Sequence, residues 1–217
     1  MSSQTATAKG AATRDSIVDR AYEIARASGV EGLSIGPLAT AVGMSKSGVF
    51  AHFGSREDLQ LAVLEEAALR FGNAVLMPAL AQPRGLPRLR SIMHHWFEWI
   101  RGTAGGGCVL LASVTEYDDR PGALHDQVMH NEQRWRGEMQ RAVQLAIDAG
   151  HLVAGDIAQY VFELYAIALA VHHEAGLFGY DNARRHGDAA VERWIAAYSP
   201  NADRSGGHPH GNVRLQN

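Results

Sequence analysis

Residues 33–59 read LSIGPLATAVGMSKSGVFAHFGSREDL, and the order of stops and caps in this stretch decides the fold. Ser34 suits the N-cap of a short helix, and Pro37 falls in its first turn, where a missing N–H has no intrahelical partner to lose. Leu38, Ala39 and Val42 give that helix an inner face, and Gly43 ends it. After the tight turn Val42-Gly43-Met44, Ser45 caps a second short helix running from Lys46 to about His52. Two short helices joined by so brief a connection form a helix-turn-helix. Gly54 then stops the second helix, and Ser55-Arg56-Glu57-Asp58 opens a third with a Ser-x-x-acid capping box.

The second short helix has an unusual outer face. Val49 and Phe53, four residues apart, turn inward, whereas Ser45, Lys46, Ser47, Gly48 and His52 are short, polar or basic, as a surface that approaches DNA closely needs to be. The chain of 217 residues carries 20 Lys plus Arg against 23 Asp plus Glu, a net charge of -3 that argues against a polyanionic partner. The distribution reverses that inference. Residues 1–60 hold six basic residues (Lys9, Arg14, Arg20, Arg26, Lys46, Arg56) and six acids (Asp15, Asp19, Glu23, Glu31, Glu57, Asp58). The whole excess therefore lies in 61–217, and no acid interrupts Ser45 to Arg56.

Working outward, apolar residues recur at helical spacing through 14–28, 55–77, 86–102, 122–149, 156–176 and 182–198. No segment alternates as a half-buried strand would, so the expected class is all-α: an N-terminal three-helix helix-turn-helix domain joined by a long helix to a larger helical domain. The expected boundaries are a disordered arm over 1–13, the helix-turn-helix domain over 14–60, a connecting helix to about 77, a helical body over 78–198 and a disordered tail over 199–217. The N-terminus lacks the apolar core of a secretion signal, and a lone cysteine, Cys108, fits a reducing compartment, so a soluble cytoplasmic protein with no membrane partner is expected.

Other chemistries find little support. Cys108 with a histidine could form a nucleophilic pair, but no orienting group or oxyanion donor set accompanies it, and no enzyme is expected. The pairs His94-His95 and His172-His173 are adjacent, so their side chains diverge by about 100° on a helix, and neither a metal nor another cofactor is expected.

With these residues in place, the segment 14–72 resembles the N-terminal domain of the tetracycline-repressor (TetR) family of transcription regulators. Leu33-Ser34, Ala-x-x-x-Gly-Met-Ser-Lys, His52-Phe53 and Gly54-Ser55-Arg56-Glu57-Asp58-Leu59 fall at that family's spacings. The resemblance implies that Ser34, Ser45, Lys46, Ser47, His52 and Arg56 touch or flank backbone phosphates of a palindromic DNA operator, with Lys46, Ser47 and Gly48 at base edges. Phe50 departs from the pattern: the family usually has tyrosine there, so one phosphate contact is missing and the ring packs or meets a thymine methyl. The resemblance also implies a homodimer built on the last two long helices. For it the sequence offers Tyr160, Val161, Leu164, Tyr165, Ala168, Leu169 and His172, with Ala190, Val191, Trp194, Ile195 and Tyr198. It implies further a small-molecule effector held in the body, with Trp96, Trp99, Cys108, Trp135, Phe162 and Tyr165 as its expected lining. The expected role is that of a repressor released from its operator by a small apolar molecule, with an activator or a regulator without a ligand as the alternative.

Overall fold

The computed structural model describes residues 2–103 and 107–200; these form helices joined by short connections, with no strand among the described residues. Helix α1 spans Ser2–Ser28, α2 Ile35–Ala41, α3 Lys46–Phe53 and α4 Arg56–Phe71. A π-helical segment, Gly72–Leu76, leads into α5 (Met77–Leu80). The body continues with α6 (Leu86–Thr103), α7 (Val109–Tyr117), α8 (Ala123–Asp148), α9 (Ile157–Phe178) and α10 (Tyr180–Tyr198).

Three features differ from the expectation. The segment 1–13 was expected to be a disordered arm, yet α1 begins at Ser2. Alanines at 6, 8, 11 and 12 and the absence of proline let the helix extend backward, adding a hydrogen bond per residue without a new nucleus. Next, the connecting helix is not uniform. Pro78 has no N–H and its ring crowds the carbonyl four residues earlier, and the wider π turn just upstream absorbs that misfit. Finally, α7 escaped the periodicity: its nine residues are apolar on more than one side, because they pack against two different cores. Of the expected tail, 201–217 lies outside the described residues.

Two cores organise the molecule. The body core gathers Phe97, Ile92, Met93 and Ile100 of α6 with Met139 of α8 and Leu164 of α9, each almost wholly buried. The N-terminal core gathers Ile17, Leu33, Leu38, Val49, Leu59 and Leu64, and it also takes Val109 and Tyr117 of α7 and Val128 of α8. The helix-turn-helix therefore completes its core with side chains from the body. Burying such residues stabilises by about 1.5–3 kcal/mol each, so the head is not independent of what carries it.

Helices α9 and α10 lie antiparallel, since Glu163 meets Trp194 and Tyr198 while Glu174 meets His186. The face expected to dimerise is mostly spent inside the protomer: Tyr160, Val161, Leu164, Tyr165 and Ala168 are buried, as are Val191, Trp194 and Ile195. Away from that buried face, α9 leaves Phe162, Leu169 and Leu177 exposed.

Gly187 sets the closeness of this pair. A Cβ there would collide with Val171 Cγ2 and lie 3.1 Å from the Phe97 ring, which is itself fully packed. In an exposed helix, Gly→Ala stabilises by about 1 kcal/mol. Here the expected sign is the reverse: thermal unfolding of Gly187→Ala should show a lowered Tm, reflecting about 1–3 kcal/mol of overpacking, and an unchanged or raised Tm contradicts the packing.

Candidate functional site

The outer face of α3 is built by its ends. Ser45 Oγ accepts a hydrogen bond from the Gly48 amide at 3.1 Å and lies 3.0 Å from Ser47 Oγ. Gly54, at φ +75°, closes the helix in a conformation open chiefly to glycine. Of the box expected at α4, the cap half is formed, Asp58 N–H donating to Ser55 Oγ, while the Asp58 carboxylate accepts from the Ser55 hydroxyl. Val49 and Phe53 are buried, and Arg14 of α1 lies over the Phe53 ring, 5.1 Å from its centroid, fixing α3 against α1.

That orientation leaves Ser45, Lys46, Ser47 and Phe50 exposed on one side, with Gly48 and His52 half-buried at its margins. Lys46 runs its stem over Gly36 of α2, so its ammonium group is carried at the front of both helices. Phe50 is 46% exposed and does not pack inside the protomer, an apolar ring displayed in the middle of a polar face. Neither α2 nor α3 carries an acid in its first turn, whereas α4 carries Glu57 and Asp58. The positive ends of α2 and α3 are thus free of internal anions, as phosphate binding at helix N-termini requires.

Two of the expected residues have other duties. Ser34 occupies the N-cap of α2 but its side chain makes no capping hydrogen bond. Arg56 stays exposed but is tethered: its Nε donates to the Leu33 carbonyl at 2.8 Å, its Nη2 to the Glu31 carbonyl, and it pairs with the Glu31 carboxylate at 3.5 Å. Arg56 is a positioning residue that ties the start of α4 to the turn before α2.

Behind this head lies a cavity of about 130 Å³ among α4, the π segment and α6 to α9. Of the six residues expected to line it, the structure brings four together: Trp96, Cys108, Trp135 and Tyr165. Trp99 sits instead over a shallower hollow beside Tyr22 and Arg26, with its ring edge-on to Phe71 at 5.6 Å. Phe162 is 61% exposed on the far side of α9. Sequence reasoning missed Phe71, whose ring is packed edge-on against Trp96 and Trp135, and the walls that α7 supplies, Leu110, Leu111 and Ser113. It also missed Glu132, which accepts from Tyr165 O–H at 3.1 Å; burial, and then that carboxylate, push the Tyr165 phenol well above the usual tyrosine range. The lining is mostly apolar, with polar groups towards α8, and a cavity of this order holds a molecule of about benzene size without rearrangement. Among the described residues, no three His, Cys, Asp or Glu side chains are placed to hold a metal ion.

The family model of bacterial regulatory proteins of the tetR family matches residues 17–63, and that of the tetracyclin repressor-like C-terminal domain matches 85–191. No curated protein matches the chain. Among solved structures, a TetR-family transcriptional regulator from Cytophaga hutchinsonii superposes with a TM-score of 0.76 at 18% identity, covering 88% of this chain and 97% of that one. A TetR-family regulator from Streptomyces coelicolor gives 0.76 at 20% identity, covering 86% and 96%. AibR, solved in complex with isovaleryl coenzyme A and operator DNA, gives 0.65 at 18% identity, covering 87% and 98%. At these identities the superpositions speak to the fold.

The face of α3 yields two opposed expectations, both read as Kd on a selected duplex. Lys46→Ala with His52→Ala should weaken DNA binding at least ~30-fold, since hydrogen bonds to charged groups contribute about 1.5–3 kcal/mol, while Tm changes little. Phe50→Tyr should tighten it about fivefold by restoring a hydroxyl near a phosphate, a gain of order 1 kcal/mol. Unchanged affinity in the double variant refutes the assignment of this face.

Proposed function

The chain belongs to the TetR family of DNA-binding transcriptional regulators, and from that premise we propose that it acts in the cytoplasm as a homodimeric repressor that a small, largely apolar molecule releases from a palindromic operator. One observation carries the reading. Helix α4 begins at the foot of α3, and its far end, with the π segment after it, contributes Ala68, Phe71, Gly72 and Leu76 to the cavity wall. A molecule entering the cavity meets the same rod that carries the recognition helix. A tilt of that rod alters the separation of two recognition helices, which must lie about 34 Å apart to enter successive major grooves. The shift in DNA affinity equals the difference in the ligand's affinity for the two arrangements, and no more.

The dimer reading rests on the outward side of α9. Phe162, Ala166, Leu169, His173 and Leu177 follow one another at steps of three and four, with Ala170 next to them, all exposed, beside the exposed Ala189, Ala196 and Ala197 of α10. An apolar stripe of that length on a helix pair fits a second copy of itself across a two-fold axis. The same stripe accounts for α9 being long and apolar enough to cross a membrane, because α9 also carries Glu163 and Glu174 and buries its other face against the body. Catalysis has no place in this reading: Cys108 is a buried thiol in the cavity wall that caps α7 by position alone.

Selection from a random DNA pool should enrich a two-fold symmetric sequence, bound as one dimer, with a modest dependence of log Kd on log salt because few phosphate contacts are made. No enriched sequence sinks the reading. Phe162→Glu with Leu177→Glu should give a folded monomer by light scattering and abolish operator binding; a variant that stays dimeric refutes the interface.

A further inference from the structure

Helix α7 touches both ends of the problem. On one side Leu110, Leu111 and Ser113 line the cavity. On the other, Val109 and Tyr117 belong to the core of the DNA-reading head, and the C-terminal turn of α7 grips the connection between α1 and α2. Glu116 Oε2 accepts the backbone N–H of Val30 at 3.0 Å and that of Glu31 at 3.1 Å, and Tyr117 O–H donates to the Glu31 carboxylate at 3.0 Å. These contacts join residues about 86 positions apart in the chain.

The turn that Glu116 holds is itself a junction. Gly29 sits at φ +75°, and a Cβ there would run into Glu116 Oε1, so the carboxylate occupies space that only glycine leaves open. From the opposite side α4 holds the same turn: Gln60 Nε2 donates to the Val30 carbonyl at 2.8 Å, and Arg56 to the Glu31 and Leu33 carbonyls. Just beyond, Arg26 Nη2 donates to the Gly102 carbonyl at the end of α6. The turn leading into α2 is thereby clamped between two helices, and both of them line the cavity.

We propose that Glu116 is the positioning residue of a second route from cavity to DNA: α7 acts as a lever whose cavity face responds to the occupant and whose Glu116 carboxylate moves the α1–α2 turn, and α2 and α3 with it. This rests on the reading of the chain as a ligand-responsive regulator. The carboxylate serves because it accepts from two consecutive amides at once, which a charged acceptor does more strongly than a neutral one. A displacement of α7 then reaches the head through a bond network rather than through loose contact, and the head cannot keep its packing on Val109 and Tyr117 without following.

The experiment fills the cavity from the α7 side and asks whether the effect passes through Glu116. Leu111→Trp, Glu116→Ala, their combination and Glu116→Gln are compared in the full-length dimer, with Kd measured by fluorescence anisotropy on a duplex that the unaltered protein selects. Leu111→Trp alone should weaken binding about tenfold, within the usual range of a coupling between sites. In the Glu116→Ala background the same substitution should change Kd less than about twofold, because coupled residues depart from additivity. Glu116→Gln keeps an acceptor oxygen and should retain most of the Leu111→Trp effect, which a merely structural loss at 116 would not do. Equal factors in both backgrounds, or no effect of Leu111→Trp in either, overturn the proposal. Where Leu111→Trp fails to fold, Leu111→Phe takes its place under the same criteria. If the unaltered protein selects no duplex, the regulator reading itself falls and the lever falls with it, an outcome distinct from selection followed by equal factors.

Discussion

Two backbone amides, those of Val30 and Glu31, sit in a turn half enclosed between the head and the body, and their need for an acceptor shapes much of the molecule. Val30 is buried and Glu31 exposed, and a buried amide left unpaired costs about 1–3 kcal/mol. Glu116 supplies the acceptor from a helix remote in sequence. Once that carboxylate is in place, residue 29 has to be glycine, the end of α7 has to face α1, and Val109 and Tyr117 are drawn into the N-terminal core. Arg56 and Gln60 complete the enclosure from α4, leaving the carbonyls of residues 30, 31 and 33 paired as well.

This arrangement makes the head an outgrowth of the body rather than a separate unit on a tether. Helices α1 to α3 bury a common core, but part of that core comes from α7 and α8. The same two helices, with α4, wall the cavity. The packed N-terminal core thus connects a small apolar space to a polar DNA-reading face, and a close-packed core transmits strain instead of absorbing it. Charge follows the same division. The first 60 residues are electrically neutral, and the outer face of α3 and the starts of α2 and α3 are free of acids. The acidic excess lies in the body, where many of the carboxylates are tied to arginines, as Glu98 is to Arg184 and Glu132 to Arg136.

What could be read from the sequence was local. The helix-turn-helix, its caps at Ser45 and Ser55 and the stop at Gly54 are each decided within about four residues, and they stand where the sequence puts them. The all-α class followed from periodicity for the same reason. Features that depend on distant partners were not legible. The periodicity of α9 marked a broad apolar face but could not say which part meets the protomer's own α6, α8 and α10, so Phe162 was assigned to the cavity and its neighbours to the dimer. Helix α7 was hidden because, serving two cores, it has no single apolar face. Arg56 reads as a phosphate contact, and its acceptors at Glu31 and Leu33, more than twenty residues away in the chain, leave no local signal. Glu116 offers no signal at all, since an acid that ends a short apolar run is ordinarily a solvated surface residue.

The account stands on the grip of Glu116 upon the α1–α2 turn, and amide hydrogen exchange at Val30 and Glu31 tests it most directly. In the DNA-free, full-length protein both amides should exchange slowly, and Glu116→Ala should speed them by about tenfold or more while amides in the middle of α9 keep their rates, the mark of a local opening rather than global unfolding. Fast exchange of both amides in the unaltered protein, or slow exchange that Glu116→Ala leaves untouched, would contradict the account.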